Sequence, residues 1–263
     1  MPTFTGKSFS TFYKNILGIN QSSNTGIDAT GRKIQDGAGN NTAISLSDDD
    51  LSVKPVNDDT TRTFRVQKQN NDTVFAIDTT NSKVFAGSTQ TVVNTFYQPF
   101  SCHLLTPVAG EHMPLLAVPA GYYATALAEQ SLGDGADPAT TYDMSTGNLA
   151  ANWVACLFPT RTNMTVDSCD VYFTSNGGAE STLTFHLMSY AIDGDNGGTS
   201  GDLSDGVVVA DSGTQAVDRT SIDFLSLSIR NADVDISRIL IATVESTSTT
   251  AVSVNMNLKY HIR

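Results

Sequence analysis

The chain has 263 residues, 40 % of them apolar, and a formal net charge of −12. That is enough apolar material for one large β domain, or for a small module beside a domain of ordinary size. Plentiful Gly, Ser, Thr, Asn and Asp, with little Leu or Lys, favour short strands and turns over long helices.

The charge is unevenly placed. Residues 1–90 carry nine Lys/Arg and nine Asp/Glu; residues 91–263 carry six and eighteen, with no Lys or Arg between Lys83 and Arg161. The shift predicts a domain boundary near residue 90. The acidic half disfavours nucleic acid and anionic membrane as partners, because their phosphates would be repelled.

Phe9, Phe12, Tyr13, Ile16 and Leu17 recur at helical spacing, with Ser8 or Ser10 as a cap and Gly18 as a stop. They are the expected anchoring face of an N-terminal segment. The first fifteen residues have no apolar h-region, so a secretory signal is not expected. No stretch approaches the roughly twenty apolar residues that span a bilayer. From residue 23 to 58 the composition predicts an extended arm and one hairpin. Its strands are residues 43–46 and 51–53, around a solvated turn at Asp48, Asp49 and Asp50.

Residues 57–87 hold three strand-like runs, 63–68, 73–78 and 83–86, separated by polar turns. Each run carries one phenylalanine, Phe64, Phe75 and Phe85, spaced eleven and then ten residues apart. A stripe that narrow cannot bury itself in a lone chain and suits stacking on other copies. Phe64, Val66, Phe75, Ile77 and Phe85 are therefore the expected contact between copies. The segment resembles the fibre repeats of tailed-phage virion proteins. In these, runs of the type T-x-F-x-V, then G/D-x-T-V-F-x-V-D, then T-x-x-x-K-V recur along trimeric shafts. Residues 10–26 likewise resemble the openings of marine phage structural proteins, although Thr11 separates Ser10 from Phe12. The resemblance implies a virion fibre or capsid-decoration protein of a podovirus or cyanophage-like tailed phage.

Pro99, Pro107, Pro114 and Pro119 mark edges and loops of an entry segment. Residues 121–131 could form a short helix or strand, and residues 132–150 a Gly- and Asp-rich loop. Residues 153–158 predict a buried strand. Residues 171–173 and 183–187 predict a hairpin about a turn at 175–178. Residues 207–210 form another strand, and Leu225, Leu227 and Ile229 alternate with polar neighbours. Residues 239–244 are apolar on both faces, the mark of a central strand. Val252, Val254, Met256, Leu258, Tyr260 and Ile262 alternate with polar residues to the end of the chain. These elements predict an all-β chain in three parts: an anchoring arm and hairpin at 1–56, a fibre-like module at 57–92, and an acidic jelly-roll-like β-sandwich at 93–263.

Motifs for chemistry are weak. Asp193 and Asp195 open like an EF-hand loop, but the twelfth position is Ser204, not glutamate, and a plain loop is expected. Cys102, His103, Glu111 and His112 match no compact zinc spacing. The three cysteines, Cys102, Cys156 and Cys169, form no short-range pair, which argues against a disulfide scaffold. His186 is expected at a sheet surface and His261 on the polar face of the last strand. Tyr122, Tyr123, Tyr142 and Tyr190 lie near predicted loops. The expectation is a non-catalytic, cofactor-free homotrimer in the virion, bound to other virion proteins. The alternatives are a tail-fibre protein that recognises a host surface saccharide and, less favoured, a polysaccharide hydrolase with two carboxylates flanking the scissile bond.

Overall fold

Period-two alternation governs nearly every element of the computed structural model, which describes residues 17–21, 26–87, 91–117, 131–142, 153–176, 181–193, 202–217 and 221–263. The chain is all-β and divides into two compact units, Met1–Asn94 and Thr95–Arg263. The anchoring residues Phe9, Phe12, Tyr13 and Ile16 lie outside the described residues, whereas Leu17 is exposed.

The first unit contains two antiparallel sheets. Strands β1 (Gly18–Ile19), β2 (Arg32–Gln35), β3 (Asn41–Leu46) and β4 (Leu51–Val53) pair in sequence order. The expected hairpin is present as β3–β4, but the segment before it is not simply extended. It adds two strands, turned at Asp36, whose carboxylate accepts hydrogen bonds from Ala38 N and from the Asn40 backbone and side chain. Strands β5 (Phe64–Gln67), β6 (Thr73–Asp78), β7 (Lys83–Ala86) and β8 (Thr91–Val92) form the second sheet, again in order. The turn between β5 and β6 uses Asn71 at φ 70°, a left-handed conformation that asparagine tolerates.

The second unit is a sandwich. Its strands are β9 (Thr95–Leu105), β10 (His112–Pro114), β11 (Phe158–Pro159), β12 (Met164–Ser175), β13 (Thr182–Asp193), β14 (Asp202–Asp211), β15 (Gln215–Ala216), β16 (Asp223–Ser226), β17 (Ser228–Ile229), β18 (Asp233–Val234), β19 (Arg238–Ser246) and β20 (Val252–Ile262). One sheet runs β16-β12-β20-β9, here called the front sheet; the back sheet runs β10-β19-β13-β14-β17. If β9, β10, β12, β13, β14, β16, β19 and β20 are numbered one to eight, the sheets read 1-8-3-6 and 2-7-4-5. All these pairs are antiparallel, and that order is the wrap of a jelly roll.

The core lies between the sheets. Val171 and Phe173 of β12, Val254 and Met256 of β20 and Phe100 of β9 face Phe185 and Leu187 of β13 and Ala242 and Val244 of β19. Phe173 and Phe185 meet with ring centroids 4.9 Å apart. Every buried apolar side chain among the described residues, except Ala76, belongs to this second unit. Cys102, Cys156 and Cys169 are buried thiols, and desolvation pushes the first two up to about 12.

Two expected elements differ. Residues 153–158 are a 3-10 turn, Val154–Cys156, followed by the short β11, not one strand. Trp153 and Cys156 are buried while Val154 is exposed, because residues three apart share a side of a 3-10 turn. Residues 171–187 are not a hairpin. β12 and β13 lie in opposite sheets. Both strands bury aromatic residues on their inward sides, and a shared sheet would put Phe173 and Phe185 edge by edge instead of across the core.

The single tryptophan, Trp153, is 1 % exposed in the sandwich and reports its unfolding. Phe185→Ala is expected to lower sandwich stability by about 3–5 kcal/mol in urea unfolding followed by Trp153 fluorescence. Phe64→Ala, outside that core, is expected to leave the same transition unmoved.

Candidate functional site

Three surfaces combine chemistry with defined geometry. The first is the sheet β5–β8. Its register places Phe64 opposite Ile77 and Val66 opposite Phe75, and Phe75 and Ile77 opposite Ala86 and Val84. Directly paired residues share a face, so these six apolar side chains form one patch. Phe64 is 39 % and Val66 45 % exposed, and the Phe64 and Phe75 rings meet edge-on at 6.2 Å. Phe85 pairs with Ala76 and lies on the opposite face. The stripe is therefore Phe64, Val66, Phe75, Ile77 and Val84, without the third phenylalanine. Adjacent β residues alternate sides, and spacings of eleven and ten cannot both preserve the face.

The second surface is the outer face of the front sheet. The register aligns Phe224, Tyr172, Asn255 and Ser101 in one cross-strand row, and Ser226, Asp170, Asn257 and Pro99 in the next. Tyr172 and Phe224 are 48 % and 56 % exposed, with ring centroids 4.9 Å apart and planes at 45°. Beside them opens a cavity of about 480 Å³, bordered by Tyr172, Thr174, Ile222, His103, Ser253 and Asn255. Hydrogen bonds hold the polar groups in place. Asn257 Nδ2 donates to Asn255 Oδ1 at 2.8 Å, and Ser226 Oγ donates to Asp170 Oδ1 at 2.6 Å.

The third is the outer face of the back sheet, beneath residues 131–142. His186 pairs with Thr243 and Asp211, while His112 pairs with Glu245, two residues along β19, so all share that face. The covering segment is fastened through polar groups. His112 Nε2 donates to Gly135 O at 2.8 Å, His186 Nε2 contacts Asp137 Oδ1 at 3.2 Å, and Tyr190 donates to Ala139 O at 2.8 Å. The two imidazoles meet edge to face at 4.9 Å. Among the described residues, Nδ1 of neither ring meets a hydrogen-bond partner. Burial and the His112 ring push His186 below its ordinary value, against the opposing pull of Asp137 and Asp211. Gly206 admits this close approach, since a Cβ there would stand 2.6 Å from Tyr190 and 2.7 Å from Thr140 Cα.

The structure scatters the other sequence candidates. Cys102 is in the core, His103 borders the front cavity and His112 is buried on the back sheet, so the Cys102, His103, Glu111 and His112 set does not converge. Asp193 closes β13, and Asp195, Tyr122 and Tyr123 lie outside the described residues. Tyr142 packs against Trp153, and Tyr190 is buried and not a loop tyrosine. His186 is buried, not at the surface, because residues 131–142 cross its face. His261 is also buried, within 3.1 Å of Asp167, which a β-bulge in β12 turns toward it. The Tyr172–Phe224 pair went unnoticed in the sequence. Its signal was an aromatic residue on the polar side of a strand, between the inward Val171 and Phe173.

The sequence matches no protein-family model, and no curated protein shows significant similarity to it. Among solved structures, the CBM22-1–GH10 modules of Clostridium thermocellum xylanase 10B, complexed with xylohexaose, are 16 % identical with a TM-score of 0.24. That match covers 40 % of this chain and only 18 % of the xylanase chain. Desmodium yellow mottle tymovirus is 8 % identical over 64 % of this chain and 86 % of its own, at a TM-score of 0.23. Turnip yellow mosaic virus is 11 % identical over 64 % and 93 %, at 0.21. Likenesses this distant carry no functional argument.

The His186 shift sets a pH dependence. Its folded-state value lies below the ordinary 6.5, so the unfolded chain binds the proton more readily. The contribution of neutral His186 is complete above about 6.5 and falls as pH drops through the lower folded-state value. The stability advantage of wild type over His186→Gln is therefore expected to shrink between about pH 7.5 and pH 5, as read by urea midpoints. An advantage that grows on acidification would contradict the assignment.

Proposed function

We propose that the chain is a structural virion protein of a tailed phage, a homotrimeric fibre or capsid-decoration protein without catalytic role or cofactor. In this reading the N-terminal region anchors it to other virion proteins, the sheet β5–β8 joins three copies, and the jelly roll projects outward. The observation that carries the reading is the distribution of the core. Among the described residues up to Asn94, Ala76 is the one buried apolar side chain, although both small sheets are regular. Isolated small sheets without a second layer are marginal in water. The patch of Phe64, Val66, Phe75, Ile77 and Val84 contains no charge, so it suits another copy of itself better than a charged partner. The resemblance of residues 57–87 to trimeric shaft repeats supports a count of three. Folding of this unit would then be coupled to assembly.

Light scattering is expected to give a mass near three times the 28.0 kDa protomer. Phe75→Ala should raise the dissociation constant at least about tenfold by removing apolar area from each contact. A monomer with β5–β8 still protected from hydrogen exchange would sink the reading.

A further inference from the structure

The front-sheet cavity carries an inference that goes beyond the assembly reading and needs only the jelly roll. We propose that the outer face of β16-β12-β20-β9 binds a neutral saccharide, with a sugar ring lying on Tyr172 and Phe224 and its hydroxyls bonded to Asn255, Ser253 and Thr174.

The chemistry of the surface selects this ligand class. A pyranose presents a face of C–H groups and an edge of hydroxyls. Aromatic rings carry negative charge on their faces and attract polarised C–H groups. Here two such rings stand half-exposed, side by side, on a rigid sheet instead of a loop. Next to them are the Asn255 carboxamide, the Thr174 hydroxyl and the Ser253 hydroxyl, which accepts from Leu104 N at 3.1 Å, lies 3.4 Å from His103 Nδ1 and keeps a second lone pair for a ligand. Asn255 Oδ1 accepts from Asn257 Nδ2, so the Asn255 Nδ2 hydrogens are the donors it offers a ligand. Fixing the side chain in advance lowers the entropy cost of binding.

Charge and volume narrow the ligand further. Among the described residues no Asp, Glu, Lys or Arg borders the cavity, and its one titratable border group with a basic side chain is His103. The net charge of −12 repels anions in general. The cavity volume of about 480 Å³ falls within the roughly 300–1,000 Å³ typical of small-ligand sites. Its border of Tyr172, Ile222 and Asn255 combines apolar walls with a few placed polar groups.

The test uses the full chain and isothermal titration calorimetry against maltohexaose, cellohexaose, laminarihexaose and chitohexaose, with a hyaluronan hexamer as the anionic comparison. Saturable binding of at least one neutral oligosaccharide is expected. Tyr172→Ala and Asn255→Ala should each weaken it at least about tenfold. Ile236→Ala, at an exposed position outside the cavity border, should leave it unchanged. These positions are exposed, so the variants keep the fold, and light scattering checks that their mass is unchanged. Binding of none of the neutral oligosaccharides, binding of hyaluronan alone, or binding that survives Tyr172→Ala and Asn255→Ala together would overturn the proposal. A Tyr172→Ala variant with reduced mass would also overturn it, because the face would then be a contact between copies. Loss of the trimer by Phe75→Ala with saccharide binding intact would separate the failure of the assembly reading from that of this one.

Discussion

Phe173 and Phe185 meet across the sandwich at 4.9 Å, and they mark the seam on which the second unit depends. Each long strand has one apolar side, and an apolar sheet face must be covered. The front and back sheets cover each other. Once the inner sides of β12, β20, β13 and β19 are committed, their outer sides are released for other work. The back sheet uses its outer side for a second layer, closed by residues 131–142 and fastened through His112, His186 and Tyr190. On the outer side of the front sheet, Tyr172 and Phe224 stand half-exposed among the described residues, beside a cavity.

The first unit obeys the same alternation, but among its described residues Ala76 is the one buried apolar side chain. Strands β5, β6 and β7 place Phe64, Val66, Phe75, Ile77 and Val84 on one side, and these residues remain partly exposed. Apolar side chains gain roughly 1.5–3 kcal/mol each when fully buried. A patch of five left half-buried is a strong drive toward another surface. This is the physical basis of the proposed assembly, and it does not depend on any feature of the jelly roll.

Local pattern made much of this legible. The runs at residues 73–78 and 83–86 coincide with β6 and β7, and residues 239–244 lie in a strand buried on both sides between β10 and β13. The alternation from Val252 to Leu258 reads directly as inward and outward in β20. Where reading failed, the deciding contact was distant. Trp153 and Cys156 are apolar enough for a strand, but three-residue spacing toward a core made elsewhere gives a 3-10 turn. Residues 175–178 look like a hairpin turn, yet inward aromatics on both flanking strands send β13 to the opposite sheet. His186 sits on the polar side of its strand, and residues some fifty positions earlier bury it.

The sequence by itself determined that the chain is all-β, roughly where its strands lie and which side of most strands is apolar, since these follow from a two-residue period within each segment. Only the tertiary structure decided which strands pair, which outer face residues 131–142 cover and which distant aromatic side chains meet. Those outcomes rest on contacts between residues far apart in the chain: Tyr172 with Phe224, His112 with His186, and Phe173 with Phe185. A period describes how one strand divides its two sides. It does not say which strand will lie beside it, or that residues 131–142 will cross the histidine face.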